Sequence, residues 1–271
     1  MSRRLRVILN TALLLVALIC AGVLLRQQLQ WRDSAEATKK AAEIAHARPA
    51  PPAEQGDASA TPAPDPATGP EDTDPAVEEL LGLDLDALRA VNPDVVAWLT
   101  VPGADISHPI LQGPDNDYYL HHTWEKKWNS GGAIFLDWRS SRDFEGFHTI
   151  IYGHRMRNGT MFGPLHRYAE QDFWTEHPYA YITDGKCVRR YLIFAAWEPA
   201  VTSAVYAREL DSEEARQEMI DQCLRGSVID TGVVPGPEDK LLTLSTCTSS
   251  GHETRWVVQA RLEEIYPARE Q

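Results

Sequence analysis

The 271-residue chain has room for one large domain or two small ones, and a formal charge of −13 with a pI near 5.1 leaves no cationic surface to neutralise phosphates. Nucleic acid is therefore excluded as a partner. Four cysteines (Cys20, Cys187, Cys223 and Cys247) are too few for a disulfide scaffold; Cys187 and Cys223 could pair outside the cell, but two separate core thiols are the preferred reading.

Residues 7–25 (VILNTALLLVALICAGVLL) run for nineteen residues without a charge, long enough to cross a hydrocarbon core. Arg3, Arg4 and Arg6 precede them, so the positive-inside bias keeps residues 1–6 cytoplasmic and exports the remainder. A cleaved leader is the competing reading. The length of the segment, and Leu24-Leu25-Arg26-Gln27 where small residues would mark a cleavage site, argue for an uncleaved single-pass anchor. Residues 26–75 read as an extracellular spacer: 27–40 is compatible with a short helix, but 48–75 is dense in Pro, Ala, Asp, Glu and Gly with almost no large apolar side chain.

A folded domain is expected over 76–271. Residues 77–91 carry apolar side chains at helical spacing up to Asn92-Pro93, with another turn over 94–98. Short strands broken by turn residues follow at 98–101, 106–112, 132–137 and 147–152. After a short helix over 164–168, strands at 179–183 and 188–197 are joined through Asp184-Gly185. Residues 211–225 form a longer helix, with Asp211 as N-cap and Glu214 three positions on; its stripe is Ala215, Met219, Ile220, Cys223 and Leu224, and Gly226 stops it. Two strands then meet across Thr248-Ser249-Ser250-Gly251. One ends on Cys247; the other puts Arg255, Val257, Gln259 and Arg261 on one face and Trp256, Val258, Ala260 and Leu262 on the other. Many short strands with turn signals point to a mainly-β barrel or sandwich.

A thiol at the exit of one strand and a guanidinium at the start of the next suggest chemistry, provided a base activates the thiol. His154, at the end of Ile150-Ile151-Tyr152-Gly153-His154, is the candidate. His252 is nearer in sequence but sits in the hairpin loop, where solvent exposure is the better reading. His121, His122, His166 and His177 are taken as surface or packing residues, and Arg155 and Arg157 as solvated. Arg261 lies too far along its strand to reach Cys247. No Cys-x-x-Cys or His-Glu-x-x-His occurs, so neither a metal nor another cofactor is expected.

Thr243-Leu244-Ser245-Thr246-Cys247 followed by a strand opening on Arg255, with Tyr152-Gly153-His154-Arg155-Met156 and Met161-Phe162-Gly163-Pro164-Leu165, resembles the sortases, and class B among them. A helix before the cysteine strand fits that class; simpler classes have a loop there. The resemblance covers residues 80–265. It implies a closed β-barrel of about eight strands, with an N-terminal helix and the pre-cysteine helix, preceded by a single transmembrane helix. It also implies a cysteine transpeptidase that cuts a Leu-Pro-x-Thr-Gly-like or Asn-Pro-x-Thr-like sorting signal after Thr. The thioacyl group held on Cys247 would pass to an amine of the cell wall or of a pilin lysine.

In that scheme Cys247 is the nucleophile, His154 the acid/base partner and Arg255 the stabiliser of the oxyanion. Either a thiolate–imidazolium pair or two neutral groups would serve. Asn116, Leu120, Tyr152 and Ser245 match positions lining the peptide groove of similar enzymes, and the Thr246 hydroxyl is a further candidate contact to peptide or oxyanion. Two departures bear on specificity. Thr248 stands where relatives often have an acid, and the loop from Cys247 to Arg255 is shorter than is common for class B. Two other readings stay open: a hydrolytic cysteine endopeptidase, and a non-enzymatic surface scaffold.

Overall fold

The computed structural model describes residues 3–46, 74–156, 158–207, 210–248 and 253–268. The central spacer over 47–73, Arg157, and the hairpin turn at 249–252 with His252 lie outside the described residues.

Helix α1 (Arg3–His46) is continuous, so the spacer expected from residue 26 is helical as far as His46. Among the described residues it is the one helix long and apolar enough to cross a membrane. Leu13, Val16, Ile19 and Leu24 are exposed along its first part. Farther on, Ser34, Ala37, Ala41 and Ala45 recur every three or four residues on one face and are buried against the folded domain. Small side chains allow that close approach, and spacing alone does not reveal it in a segment so rich in charge.

The single helix expected over 77–91 is two, α2 (Pro75–Leu81) and α3 (Leu85–Val91). Gly82 ends the first, and the Asp84 carboxylate starts the second by accepting the Ala87 N–H at 2.9 Å. The further turn expected over 94–98 does not form. Asn92 redirects the chain there, its Oδ1 accepting the Asp94 N–H and its Nδ2 donating to the Trp124 carbonyl.

Eight strands close a barrel: β1 (Val95–Val101), β2 (Ile106–Leu111), β3 (Ile134–Leu136), β4 (His148–Tyr152), β5 (Tyr179–Thr183), β6 (Cys187–Trp197), β7 (Leu241–Cys247) and β8 (Arg255–Pro267). Their spatial order is β1-β2-β3-β4-β7-β8-β6-β5, with β2–β3 and β4–β7 parallel and the other neighbours antiparallel. Alternation sends Leu99, Ile134, Ile182 and Leu244 into the barrel. Trp98, Phe135 and Tyr181 face outward beneath α1–α3. Most strands are thus buried on both faces, which is why they read as nearly continuous apolar runs.

Two more helices complete the domain, a short α4 (Gln171–Glu176) that the sequence reading lacked and α5 (Glu213–Gly226). The α5 N-cap is Ser212, one residue after the expected Asp211, because its hydroxyl accepts the Ala215 N–H at 3.2 Å. Met219, Ile220 and Cys223 bury the α5 stripe against Phe194, Leu241 and Val257. Cys187 and Cys223 are separate free thiols. At the C-terminal end of α5, a Cβ on Gly226 would lie 2.2 Å from the Trp197 ring.

A buried polar chain crosses four strands on this outer side. The His148 Nε2 pairs with the Thr243 Oγ1 at 2.7 Å, the Gln259 Nε2 donates to the same oxygen at 3.2 Å, and the Trp197 Nε1 donates to the Gln259 Oε1 at 2.8 Å. Burial lowers the pKa of His148 to about 4, opposed by Asp137, and burial lowers that of His108 likewise to about 4.

Two measurements test this packing. Gly226→Ala must displace the Trp197 ring and is expected to cost about 1–3 kcal/mol in urea unfolding. Between the unfolded imidazole value of about 6.5 and the folded value near 4, the unfolded chain takes up protons the folded one refuses. Stability therefore falls as pH drops through that window, and His148→Gln should flatten the fall in melting temperature.

Candidate active site

Strand β7 pairs with β8 so that Cys247 lies opposite Arg255. On its other edge β7 runs parallel to β4, with Tyr152 opposite Ser245; the same register carried two residues on sets His154 beside Cys247. The Gly153 N–H donating to the Ser245 carbonyl at 3.1 Å continues that ladder past the last formal pair. Three residues far apart in sequence thus come to one end of three adjacent strands. All three are half-buried.

Local structure fixes each of them. A Cβ at Gly153 would fall 2.4 Å from the Ile134 side chain, so glycine is needed for the chain to leave β4 this close to the core. The Phe162 N–H then donates to the His154 carbonyl at 3.0 Å. The His154 Nε2 sits 2.9 Å from the Leu120 carbonyl oxygen. A carbonyl can only accept, so Nε2 carries the hydrogen and Nδ1 is left for proton exchange. The start of β8 is fixed from the β6 side: the Arg255 N–H donates to the Pro199 carbonyl at 3.0 Å, and the Val201 N–H to the Glu253 carbonyl at 2.9 Å. The Arg255 Nη1 donates to the Thr254 carbonyl at 2.9 Å.

Of the expected groove residues, Asn116, Tyr152 and Ser245 sit around this end, and Leu120 contributes the carbonyl that holds His154. Asn116 and Tyr152 converge on a residue that sequence reasoning did not single out, Asp137. Its carboxylate is 1% exposed and accepts from the Arg139 Nε and Nη2 at 2.8 and 2.7 Å, the Asn116 Nδ2 at 2.9 Å and the Tyr152 hydroxyl at 3.2 Å. Burial alone would raise the Asp137 pKa; the bonds from Arg139 and Asn116 outweigh it and hold the carboxyl below its ordinary value. Burial, and after it Asp137, pushes the Tyr152 phenol far above its usual range. A carboxylate ending one strand motif with an arginine two residues on was the available signal.

Tyr206 is a second residue the sequence did not offer, because it lies in an irregular connection. Its hydroxyl pairs with the Ser245 Oγ at 2.8 Å, and burial pushes the phenol up to about 12 even with Arg255 nearby favouring the charged form. His166, read as a packing residue, stacks on Trp256 with ring centroids 4.9 Å apart and lies beside the Cys247 backbone. Burial and the Arg155 charge lower its pKa, against that backbone neighbour.

Thr246 departs from expectation. It pairs with Trp256, whose ring is in the barrel interior, so alternation puts its hydroxyl on the opposite face from Cys247, where it is 2% exposed. A direct peptide contact from that side chain is not supported. Arg261 pairs with Leu241 at the far end of β7, as its spacing implied, and Arg155 is exposed.

A family model described as the sortase domain matches residues 99–263. Sortase B of Listeria monocytogenes is 35% identical over 181 residues, which cover 66% of this chain and 74% of that protein. Its solved structure has a TM-score of 0.59, covering 66% of this chain and all of that one. Sortase B of Staphylococcus aureus is 29% identical over 182 residues, 66% of this chain and 75% of that protein. Its 2.0 Å crystal structure matches with a TM-score of 0.62 over 66% of this chain and 86% of that one. Helix α1 lies outside the matched domain. A match over more than half of the chain, with the barrel in common, shows that the protein belongs to the sortases, the cysteine transpeptidases, and within them to class B.

Proposed function

We propose that the protein is held in the membrane by residues 7–25, N-terminus cytoplasmic and barrel outside, and there joins surface proteins to an amine. The accepted peptide is a sorting signal cut after Thr; the acceptor is an amine of the cell wall or of a pilin lysine. The observation carrying this reading is the shared register that brings Cys247, His154 and Arg255 to one strand end. Two solved relatives add support: a Staphylococcus aureus sortase B in complex with substrate, and a sortase B complexed with triglycine.

The Cys247 thiolate attacks the scissile carbonyl, forming the C–S bond, and Arg255 stabilises the resulting oxyanion as a fixed charge. His154 gives its proton to the departing nitrogen as the C–N bond breaks, leaving a thioester on Cys247 and a free amine product. The acceptor amine then attacks the thioester, passes its proton back to His154 and expels the thiolate. Asn116 and Tyr152, held by Asp137, form one side of the peptide groove; Ser245 is buried beneath it and held by Tyr206.

Incubation of the protein with a signal peptide and triglycine, followed by mass spectrometry, separates amine transfer from hydrolysis. Cys247→Ala should abolish both cleavage and transfer. His154→Ala and Arg255→Ala should each lower kcat/KM by about a hundredfold or more. Near-normal transfer by Cys247→Ala would overturn the assignment. Asp137→Asn leaves Arg139 without its carboxylate and loosens Asn116 and Tyr152. It is expected to raise KM for the peptide and to cost about 1–3 kcal/mol of stability at neutral pH. Because the native carboxyl is held below its unfolded value, that stabilisation is present above about pH 4 and lost as pH falls through the folded value. Asp137→Asn should therefore shed part of the acid limb of the melting curve.

A further inference from the structure

Helix α1 continues past the membrane-crossing part to form the back support of the connection between β2 and β3, residues 112–133. The Asn129 Nδ2 donates to the Gln30 carbonyl at 2.9 Å and the Ser130 hydroxyl to the Gln30 Oε1 at 2.7 Å. Two to three turns on, the Trp124 Nε1 donates to the Ala37 carbonyl at 2.6 Å, and Lys40 forms an ion pair with Glu125. Ala37, Ala41 and Ala45 are buried on the face of α1 that turns toward the folded domain.

The same connection carries the catalytic histidine's partner. Its outgoing limb contains Leu120, and the flanking carbonyls of Tyr119 and His121 accept the N–H groups of Ala133 and Asn129 at 2.9 and 2.8 Å. The returning limb is therefore clamped between α1 and the peptide that holds His154. The fit is close at two glycines. A Cβ on Gly132, whose φ is +57°, would lie 2.4 Å from the Tyr119 carbonyl oxygen, and one on Gly131 would lie 3.0 Å from the Ser34 Oγ. Displacing α1 must move this limb, and with it the Leu120 carbonyl.

We propose that residues 30–45 of α1 are a positioning element for catalysis: they brace the β2–β3 connection so that the Leu120 carbonyl holds the His154 imidazole in its productive orientation. The proposal rests on His154 acting as the proton-transfer partner. Small displacements of such a group are costly to rate, on the order of a hundredfold per ångström.

The test uses the full-length chain in nanodiscs, with amine transfer measured across pH and melting temperature measured in parallel. Ala41→Glu forces a carboxylate into a fully buried position and should undock α1, lowering kcat/KM by about tenfold or more and shifting the pH–rate profile. Trp124→Phe keeps the ring but removes the donor to the Ala37 carbonyl. It should lower kcat/KM by about fivefold with the same direction of profile shift, which guards against Ala41→Glu simply failing to fold. A Gly-Ser pair inserted after Arg26 breaks the helix between membrane and barrel without touching the docked face, and should leave rate and profile unchanged. Variants that lose melting temperature but keep the wild-type pH profile would overturn the proposal, as would an insertion as damaging as undocking. Near-normal transfer by His154→Ala, with the α1 variants still impaired, would instead bring down the reading of the site on which the proposal rests.

Discussion

The parallel pairing of β4 with β7 is the constraint on which the site depends. It places a histidine just beyond one strand next to a cysteine at the end of another, and the antiparallel β7–β8 ladder adds the arginine. None of the three side chains needs to recognise the others for this to happen; backbone hydrogen bonds do the positioning. A slip of one residue in either ladder would turn Cys247 toward the barrel interior and bring Thr246 to the outer face. The sheet therefore has to be held in register more firmly than stability alone requires.

Both faces of β7 contribute to that hold. Leu242 and Leu244 pack inside the barrel while Leu241 packs under α5, so a shifted strand would exchange two unlike environments. The polar chain from His148 through Thr243 and Gln259 to Trp197 adds a register-specific link across β4, β7, β8 and β6. Buried polar groups are costly when unpaired, so a misregistered sheet would lose these bonds while keeping the burial. On the groove side Asp137 works in a similar way, tying Asn116 and Tyr152 from different elements to one carboxylate.

The parts legible in the sequence are those written in local pattern. Strand alternation, turn residues and the apolar stripe of α5 gave most element positions to within a few residues, and Cys247, His154 and Arg255 at strand ends suggested the chemistry proposed for them. Features decided by tertiary contact were hidden. Residues 27–40 allow a short helix by pattern, but only the burial of Ala37, Ala41 and Ala45 against the barrel shows why it persists to His46. Asp84 starts a new helix in the middle of an apolar period, and Tyr206 approaches Ser245 from a connection with no pattern of its own. Thr246 stood next to the cysteine in sequence, but neighbours along a strand face opposite ways.

The strand order has a consequence for the life of the newly made chain. The gap between β4 and β6 is filled by β7 and β8, which follow the other six barrel strands in the chain. Such distant pairings form slowly, after the loops they close have been ordered. Until this hairpin docks against β4 as the keystone of the ring, Cys247 faces Arg255 across its own ladder but lacks the imidazole of His154. In the proposed mechanism, acylating power therefore arrives only with the last stave of the cask, when the hairpin reaches β4.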